Sequence, residues 1–153
     1  MEVLLAAVVL SIAVGAITQS ISTGHKQTAD ALHSLRASSL VEALMEEILA
    51  LPYADPNGVS IGGAEEGETS RAAFDNMDDF DGYSESVGQV KTMAAAAYPS
   101  DYADFGRSVT VTYGSVTISA LGGTISGVTV VVTVTNSKGR RWSMTRFVPE
   151  PLQ

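Results

Sequence analysis

The hydrophobic pattern changes character three times along the chain. Residues 3–17 contain no charged side chain and are apolar on every face of any helix they form. Beyond Thr28 the apolar positions thin to Ala37, Val41, Leu44, Ile48 and Leu51, whose alternating spacing of four and three draws one helical stripe. No proline interrupts residues 2–51, and good helix formers (Leu, Ala, Met, Glu, Arg) are frequent. The pattern predicts a single helix of about fifty residues, roughly 75 Å long, ended by Pro52, which disfavours helical geometry in the residue before it. Residues 18–27 hold Ser20, Ser22, Thr23 and Gly24, and here the helix is expected to be weakest. Glycine costs about 1 kcal/mol in a helix interior, and hydroxyls compete for backbone hydrogen bonds.

From Pro52 to Gly106 no period dominates. Asp55-Pro56-Asn57-Gly58, Gly62-Gly63 and Gly67 are closely spaced turn signals, and residues 93–98 are expected to make a short helical turn that Pro99 stops. The period then becomes two. Val109, Val111 and Tyr113 alternate with threonines, as do Val116 and Ile118, and then Val128, Val130, Val132 and Val134. Such alternation predicts strands with one apolar face. Asn136-Ser137-Lys138-Gly139 reads as a turn into a last strand over residues 140–148, with Trp142, Met144 and Val148 on one side, so the final two strands should form a hairpin. The predicted class is α+β, with a long N-terminal α-helix whose amphipathic second half packs on a small C-terminal antiparallel β-sheet. The chain divides accordingly into a helix over 1–51, with a first half over 2–22, an acidic connecting region over 52–105, a sheet over 106–149 and a tail over 150–153.

Charge adds direction to this picture. The 153 residues carry a net charge of −8, of which residues 1–51 contribute −3, residues 52–105 −9 and residues 106–153 +4. The few basic residues of the last segment (Arg107, Lys138, Arg140, Arg141, Arg146) come without a nucleic-acid-binding motif, so nucleic acid is not an expected partner. The asymmetry instead favours head-to-tail contact between copies of the chain. Cysteine is absent, which removes disulfides and thiolate metal sites from consideration.

Glu2 stands at the mouth of the apolar run. An ionised side chain inside hydrocarbon costs about 2.5–3.5 kcal/mol even on lenient insertion scales, so it calls for a charged partner. An ordinary secretory signal would carry Lys or Arg there, yet no basic residue occurs before Lys26. Residues 3–17 alone would cover about 22 Å of a hydrocarbon core of about 30 Å, and adding residues 18–21 lengthens the run towards a span. The bland alternatives are a buried core helix for the run, and for Glu2 a simple capping of the positive end of the helix dipole.

Glu2-Val3-Leu4-Leu5-Ala6-Ala7-Val8-Val9-Leu10-Ser11-Ile12-Ala13, opening a long helix that is followed by a variable loop region and a β-rich end, resembles the type IV pilin-like proteins, which include pilus subunits and type II secretion pseudopilins. Phe74-Asp75-Asn76-Met77-Asp78-Asp79-Phe80-Asp81-Gly82-Tyr83 is also similar to an acidic aromatic segment of some minor-pilin-like proteins. The resemblance implies a filament subunit, homo-oligomeric or mixed with other pilin-like subunits. It would be held in the inner membrane before assembly and become part of a periplasmic or extracellular filament afterwards. Glu2 would then pair with the N-terminal amine of a neighbouring subunit, and Val3, Leu4, Leu5, Val8, Val9 and Ile12 would pack between subunits. Implied partners are a prepilin peptidase and the assembly machinery, with methylation of the new amine. The family carries a short basic leader ending in glycine and a few residues before the glutamate, whereas only Met1 precedes Glu2. The resemblance therefore implies a natural start upstream of Met1, or a trimmed chain.

No enzyme signature is present: there is no Gly-x-Ser-x-Gly elbow, no P-loop and no zinc-ligand pair, and His25 and His33 are eight residues apart and expected to be solvated. Glu46-Glu47 and Glu65-Glu66 read as surface charge. Asp75, Asp78, Asp79 and Asp81 before Gly82 form an oxygen-rich loop of the kind that can hold calcium, although no Glu occupies the closing position of the helix-loop-helix calcium pattern. The other reading is a turn whose aspartates cap backbone amides and face the basic strand pair; calcium is thus the one cofactor in question. Two functional classes follow: a structural subunit of a type IV pilus or type II secretion pseudopilus, or a membrane-tethered extracytoplasmic binding domain that never polymerises.

Overall fold

The computed structural model describes residues 2–56, 58, 62–119 and 122–151. Met1, Asn57 of the expected turn, and Leu152 and Gln153 of the tail lie outside the described residues. The chain falls into two compact units, Met1–Leu35 and Arg36–Gln153.

Helix α1 runs unbroken over Glu2–Leu49. The weak point expected over residues 18–27 is not a break. The hydroxyls there turn back onto the helix: Thr18 donates to the Val14 carbonyl at 2.9 Å, Ser20 to Ala16 at 3.0 Å, Thr23 to Gln19 at 2.9 Å, and Thr28 to Gly24 at 3.0 Å. Groups that compete with the backbone in an unfolded chain thus become partners of carbonyls already in the helix. The C-terminus closes with the Ala50 N–H donating to the Glu46 carbonyl and the Leu51 N–H to Ile48, both at 3.1 Å, so the helix stops two residues before the predicted end.

In the second unit the stripe of α1 is buried as the spacing predicts, through Ala37, Val41, Leu44 and Ile48, with Leu40 and Met45 widening it. It packs on a four-stranded antiparallel sheet of β1 (Ser84–Glu85), β2 (Phe105–Ile118), β3 (Gly123–Asn136) and β4 (Arg141–Pro149), in the order β1-β2-β3-β4. The register sets Val109 opposite Val132 and Val111 opposite Val130, so the buried valines of both long strands share the face that meets α1. The expected final hairpin is β3–β4. Its turn is held by the Asn136 side-chain oxygen, which accepts from the Lys138 and Arg140 amides, while Gly139 supplies the positive φ of 80° that the reversal needs.

Three features differ from the sequence expectation. The two short strands predicted at 109–113 and 116–118 are one strand of fourteen residues, because Gly114 and Ser115 pair with Gly127 and Ser126 and carry the ladder through an apparent break. The connecting region contributes a strand of its own: β1 pairs with β2 through Ser84–Ser108 and Glu85–Arg107. Residues 93–98 form no helical turn. Lys91 and Ala97 bridge, Ala95 takes a φ of 60°, and a 3-10 turn, Ser100–Tyr102, follows Pro99. The reason is the anchoring of Lys91, whose carbonyl accepts from Arg71 and Arg107; the chain must double back for the Tyr98 amide to reach the Val90 carbonyl. A second 3-10 turn, Asp78–Phe80, carries Phe80 into the core beside Phe74 and Tyr83, with ring centroids 4.9 and 5.6 Å from it.

Gly127 is required by packing. A Cβ there would fall against the Val148 carbonyl oxygen and 2.6 Å from Phe147 Cζ, whereas one at Gly114, its partner across the ladder, would meet nothing. Gly127→Ala should therefore destabilise the sheet by about 1–3 kcal/mol, as overpacking of a closed site does. Gly114→Ala should be neutral or slightly stabilising, measured by thermal unfolding of the full chain in detergent. Equal effects at the two positions would count against this packing.

Candidate functional site

The first unit is a helix surface with nothing of its own to bury. Every residue from Glu2 to Leu32 is exposed, including Val3 at 83% and Leu5 at 72%. An 18-residue window reaches a mean hydropathy of 2.1 with none of it buried. The residues expected to act between subunits, Glu2, Val3, Leu4, Leu5, Val8, Val9 and Ile12, all lie here on successive faces, with Glu2 in the first turn, where its carboxylate meets the positive end of the helix dipole. Because α1 continues without a break through Thr18 and Ser20, residues 2–22 present about 31 Å of helix to match a hydrocarbon core of about 30 Å. The hydroxyl-to-carbonyl bonds of Thr18 and Ser20 lower the cost of placing those residues in an apolar medium. The helix is long and apolar enough to cross a membrane. His25 is exposed and His33 half-buried on the same unit.

The second unit carries two charged clusters with opposite fates. In the first, Glu85 on β1 is nearly buried, with 6% of its side chain exposed. Its Oε2 accepts from Arg107 Nε at 2.6 Å, while its Oε1 accepts from the Tyr83 hydroxyl at 2.9 Å and the Lys91 amide at 3.1 Å. Arg71 approaches the same Oε1 at 3.5 Å and grips Glu47 of α1 with two bonds, through Nε at 2.5 Å and through Nη2. Glu47 therefore is not the surface charge its sequence suggested, although Glu46 beside it is exposed. Burial works against the charged guanidinium of Arg71, and the hydrogen bonds it donates to Glu47 and its interaction with Tyr83 more than reverse it, holding Arg71 above its ordinary value. Burial raises Tyr83 as well. These groups saturate one another, so the arrangement fastens α1, β1, β2 and the connecting region rather than exposing a reactive group.

The second cluster lies around the 3-10 turn Asp78–Phe80. Of the four aspartates for which the sequence offered either calcium or capping, Asp79 and Asp81 accept from backbone amides. Asp81 Oδ1 accepts from the Val111 amide at 2.8 Å and ties the turn to β2. Asp78 stands by Tyr113, whose hydroxyl is pushed up to about 12, first by burial and then by the Asp78 carboxylate. Asp79 Oδ2 accepts from the Asp75 and Asn76 amides at 2.8 and 3.0 Å, and Asn76 Oδ1 accepts in return from the Asp78 and Asp79 amides. The capping role the sequence offered the four aspartates is thus observed at Asp79 and Asp81. What Asp79 does approach is Glu65 and Glu68: one carboxylate oxygen from each of the three lies within 4.8 Å of the others. Burial, the hydrogen bond with Glu68 and the nearby charges of Asp55, Glu68 and Asp79 push Glu65 up to about 7. Asp79 is raised too, chiefly by burial, against the lowering effect of its two backbone bonds. Sequence reasoning placed Glu65 on the surface and passed over Glu68; their three-residue spacing was the only available signal.

The buried network should dominate stability over the exposed pairs. Arg107→Met, which leaves Glu85 buried without its nearest cation, should cost about 3–5 kcal/mol, whereas Arg36→Ala, which removes an exposed pair with Asp101, should cost less than about 1 kcal/mol. Denaturant unfolding of the full chain in detergent measures both, and similar losses at the two sites would overturn this ranking.

No known protein family, curated protein or solved structure matches the chain. The observed architecture, one long N-terminal apolar helix and a small antiparallel sheet, is consistent with pilin-like proteins.

Proposed function

We propose that this chain is a structural subunit of a pilin-like filament, of the type IV pilus or type II secretion pseudopilus kind. The observation that carries the reading is a single unbroken helix that exposes apolar side chains on every face over residues 2–22 and then buries a narrow stripe in a folded α+β unit. Apolar surface on all sides of a helix calls for hydrocarbon or for other apolar helices. A filament subunit needs both in turn. Residues 2–22 hold it in the inner membrane first, and the same residues, released from lipid, then pack against those of neighbouring copies in a periplasmic or extracellular filament.

Glu2 gives the reading its specificity. Lipid has no use for a carboxylate at the head of an apolar helix, but a bundle of such helices does if the neighbouring subunit brings a positive amine to it. A desolvated charge pair of that kind fixes axial register, since a shift of one turn leaves both charges unpaired. A prepilin peptidase and an assembly machinery are the partners this function requires.

Glu2→Ala, expressed with the assembly machinery, should leave the protein in the membrane fraction and folded while lowering filament yield at least about tenfold, the equivalent of about 1.4 kcal/mol per contact. Sheared-filament yield against membrane-bound protein is the measurement. Undiminished filaments would remove Glu2 from assembly. A wild-type chain that stays monomeric in the membrane alongside a working machinery would favour the tethered binding domain instead.

A further inference from the structure

We propose that Glu65, Glu68 and Asp79 form a calcium site that clips the 62–68 segment to the 3-10 turn beneath it. The donors come from two stretches of the connecting region and differ from the Asp75-Asp78-Asp79-Asp81 set that the sequence suggested. One oxygen from each lies within 4.8 Å of the others. Calcium binds oxygens at about 2.3–2.6 Å, so two donors on opposite sides of one ion stand about 4.6–5.2 Å apart, and the observed spread fits inside that limit. Magnesium dehydrates reluctantly, demands near-ideal octahedral geometry and is seldom held by a dedicated all-protein cage, so it suits a cluster of three carboxylates less well. Three carboxylates without a nitrogen or sulfur donor also select a hard cation.

A second observation, separate from the crowding of charge, points to a ligand. Asp79 is only 1% exposed, and while its Oδ2 is saturated by two backbone amides, its Oδ1 is buried with no hydrogen-bond partner. Glu65 Oε1 is likewise buried and unpartnered. An ionised carboxylate oxygen only accepts, and burying it without a donor carries its full desolvation cost. Two such oxygens on two of three clustered carboxylates are a poor arrangement for a protein alone and a good one around a dication. Arg71, the nearest basic side chain in sequence, is committed to Glu47 and Glu85. Glu68 is already oriented, its Oε2 accepting from the Glu65 amide at 3.0 Å, and backbone carbonyls and water would complete the six to eight ligands calcium takes.

The consequence is mechanical. The turn that holds Asp79 also buries Met77 and Phe80 in the core and reaches β2 through Asp81, so an ion bound there joins a loop of turns directly to the folded unit. The test uses the full chain in detergent, stripped with chelator, with calcium titrated by calorimetry and by thermal unfolding. One ion per chain and a midpoint that rises with calcium are expected, with magnesium at equal concentration giving a much smaller rise. Glu65→Gln, on a partly exposed segment and able to fold, should weaken calcium binding at least tenfold while the metal-free midpoint holds or rises, because a like charge has gone. Asp79→Asn should abolish binding. No heat and an unchanged midpoint in millimolar calcium would overturn the proposal. So would binding undiminished in both variants, or equal stabilisation by magnesium.

Discussion

The burial of one helical stripe against two rows of valine organises the second unit. Leu40, Leu44 and Ile48 of α1 are fully buried, and the surface that covers them is the common face of Val109 and Val111 on β2 with Val128, Val130, Val132 and Val134 on β3. At about 25 cal/mol per Å² of apolar surface, this contact is the largest favourable contribution available to a unit without disulfides. It also dictates register. A slip of β3 by one residue against β2 would turn Val128, Val130, Val132 and Val134 away from the helix and set Thr129, Val131, Thr133 and Thr135 towards it.

Around that core, the acidic connecting region does two different things with its charge. Glu85 is brought inward and answered by Arg107 and Arg71, with the bonds to Lys91 closing the backbone over it. A partner-rich buried carboxylate of this kind makes the connecting region part of the fold, and gives β1 a reason to exist at only two residues. Glu65, Glu68 and Asp79 are gathered without an answering cation from among the basic side chains that anchor Glu85. The difference is one of donors: the first cluster has two guanidiniums, a phenol and an amide aimed at a single carboxylate, and the second has three carboxylates and backbone amides that satisfy only part of them.

The first unit obeys a different solvent. Its apolar side chains are exposed, and its polar ones, Ser11, Thr18, Ser20 and Thr23, spend their hydroxyls on carbonyls one turn back. Both habits suit a helix whose surroundings offer no water. Bilayer and helical bundle make the same demand for a closed backbone and an apolar surface, so under the proposed function one segment would serve in each. Glu2 would separate the two, since in the proposed filament a neighbouring subunit brings its carboxylate a fixed counter-charge.

The long helix, its apolar first half, its striped second half and the final hairpin were legible in the sequence because each rests on local periodicity and on turn residues whose φ requirements are intrinsic. Positions 37, 41, 44 and 48 announce a buried face whatever covers it. Other features had no local signal. Gly114 and Ser115 read as a strand break until Gly127 and Ser126 are set opposite them, and residues 93–98 read as helical until two arginines seize the Lys91 carbonyl. Glu47, Glu65 and Glu85 are indistinguishable from surface acids in the chain. The tertiary structure alone decided that one is paired with Arg71, one crowded against Glu68 and Asp79, and one buried beneath Arg107. Charge acts through distance in space, and the partners of these three lie between 3 and 24 residues away in sequence.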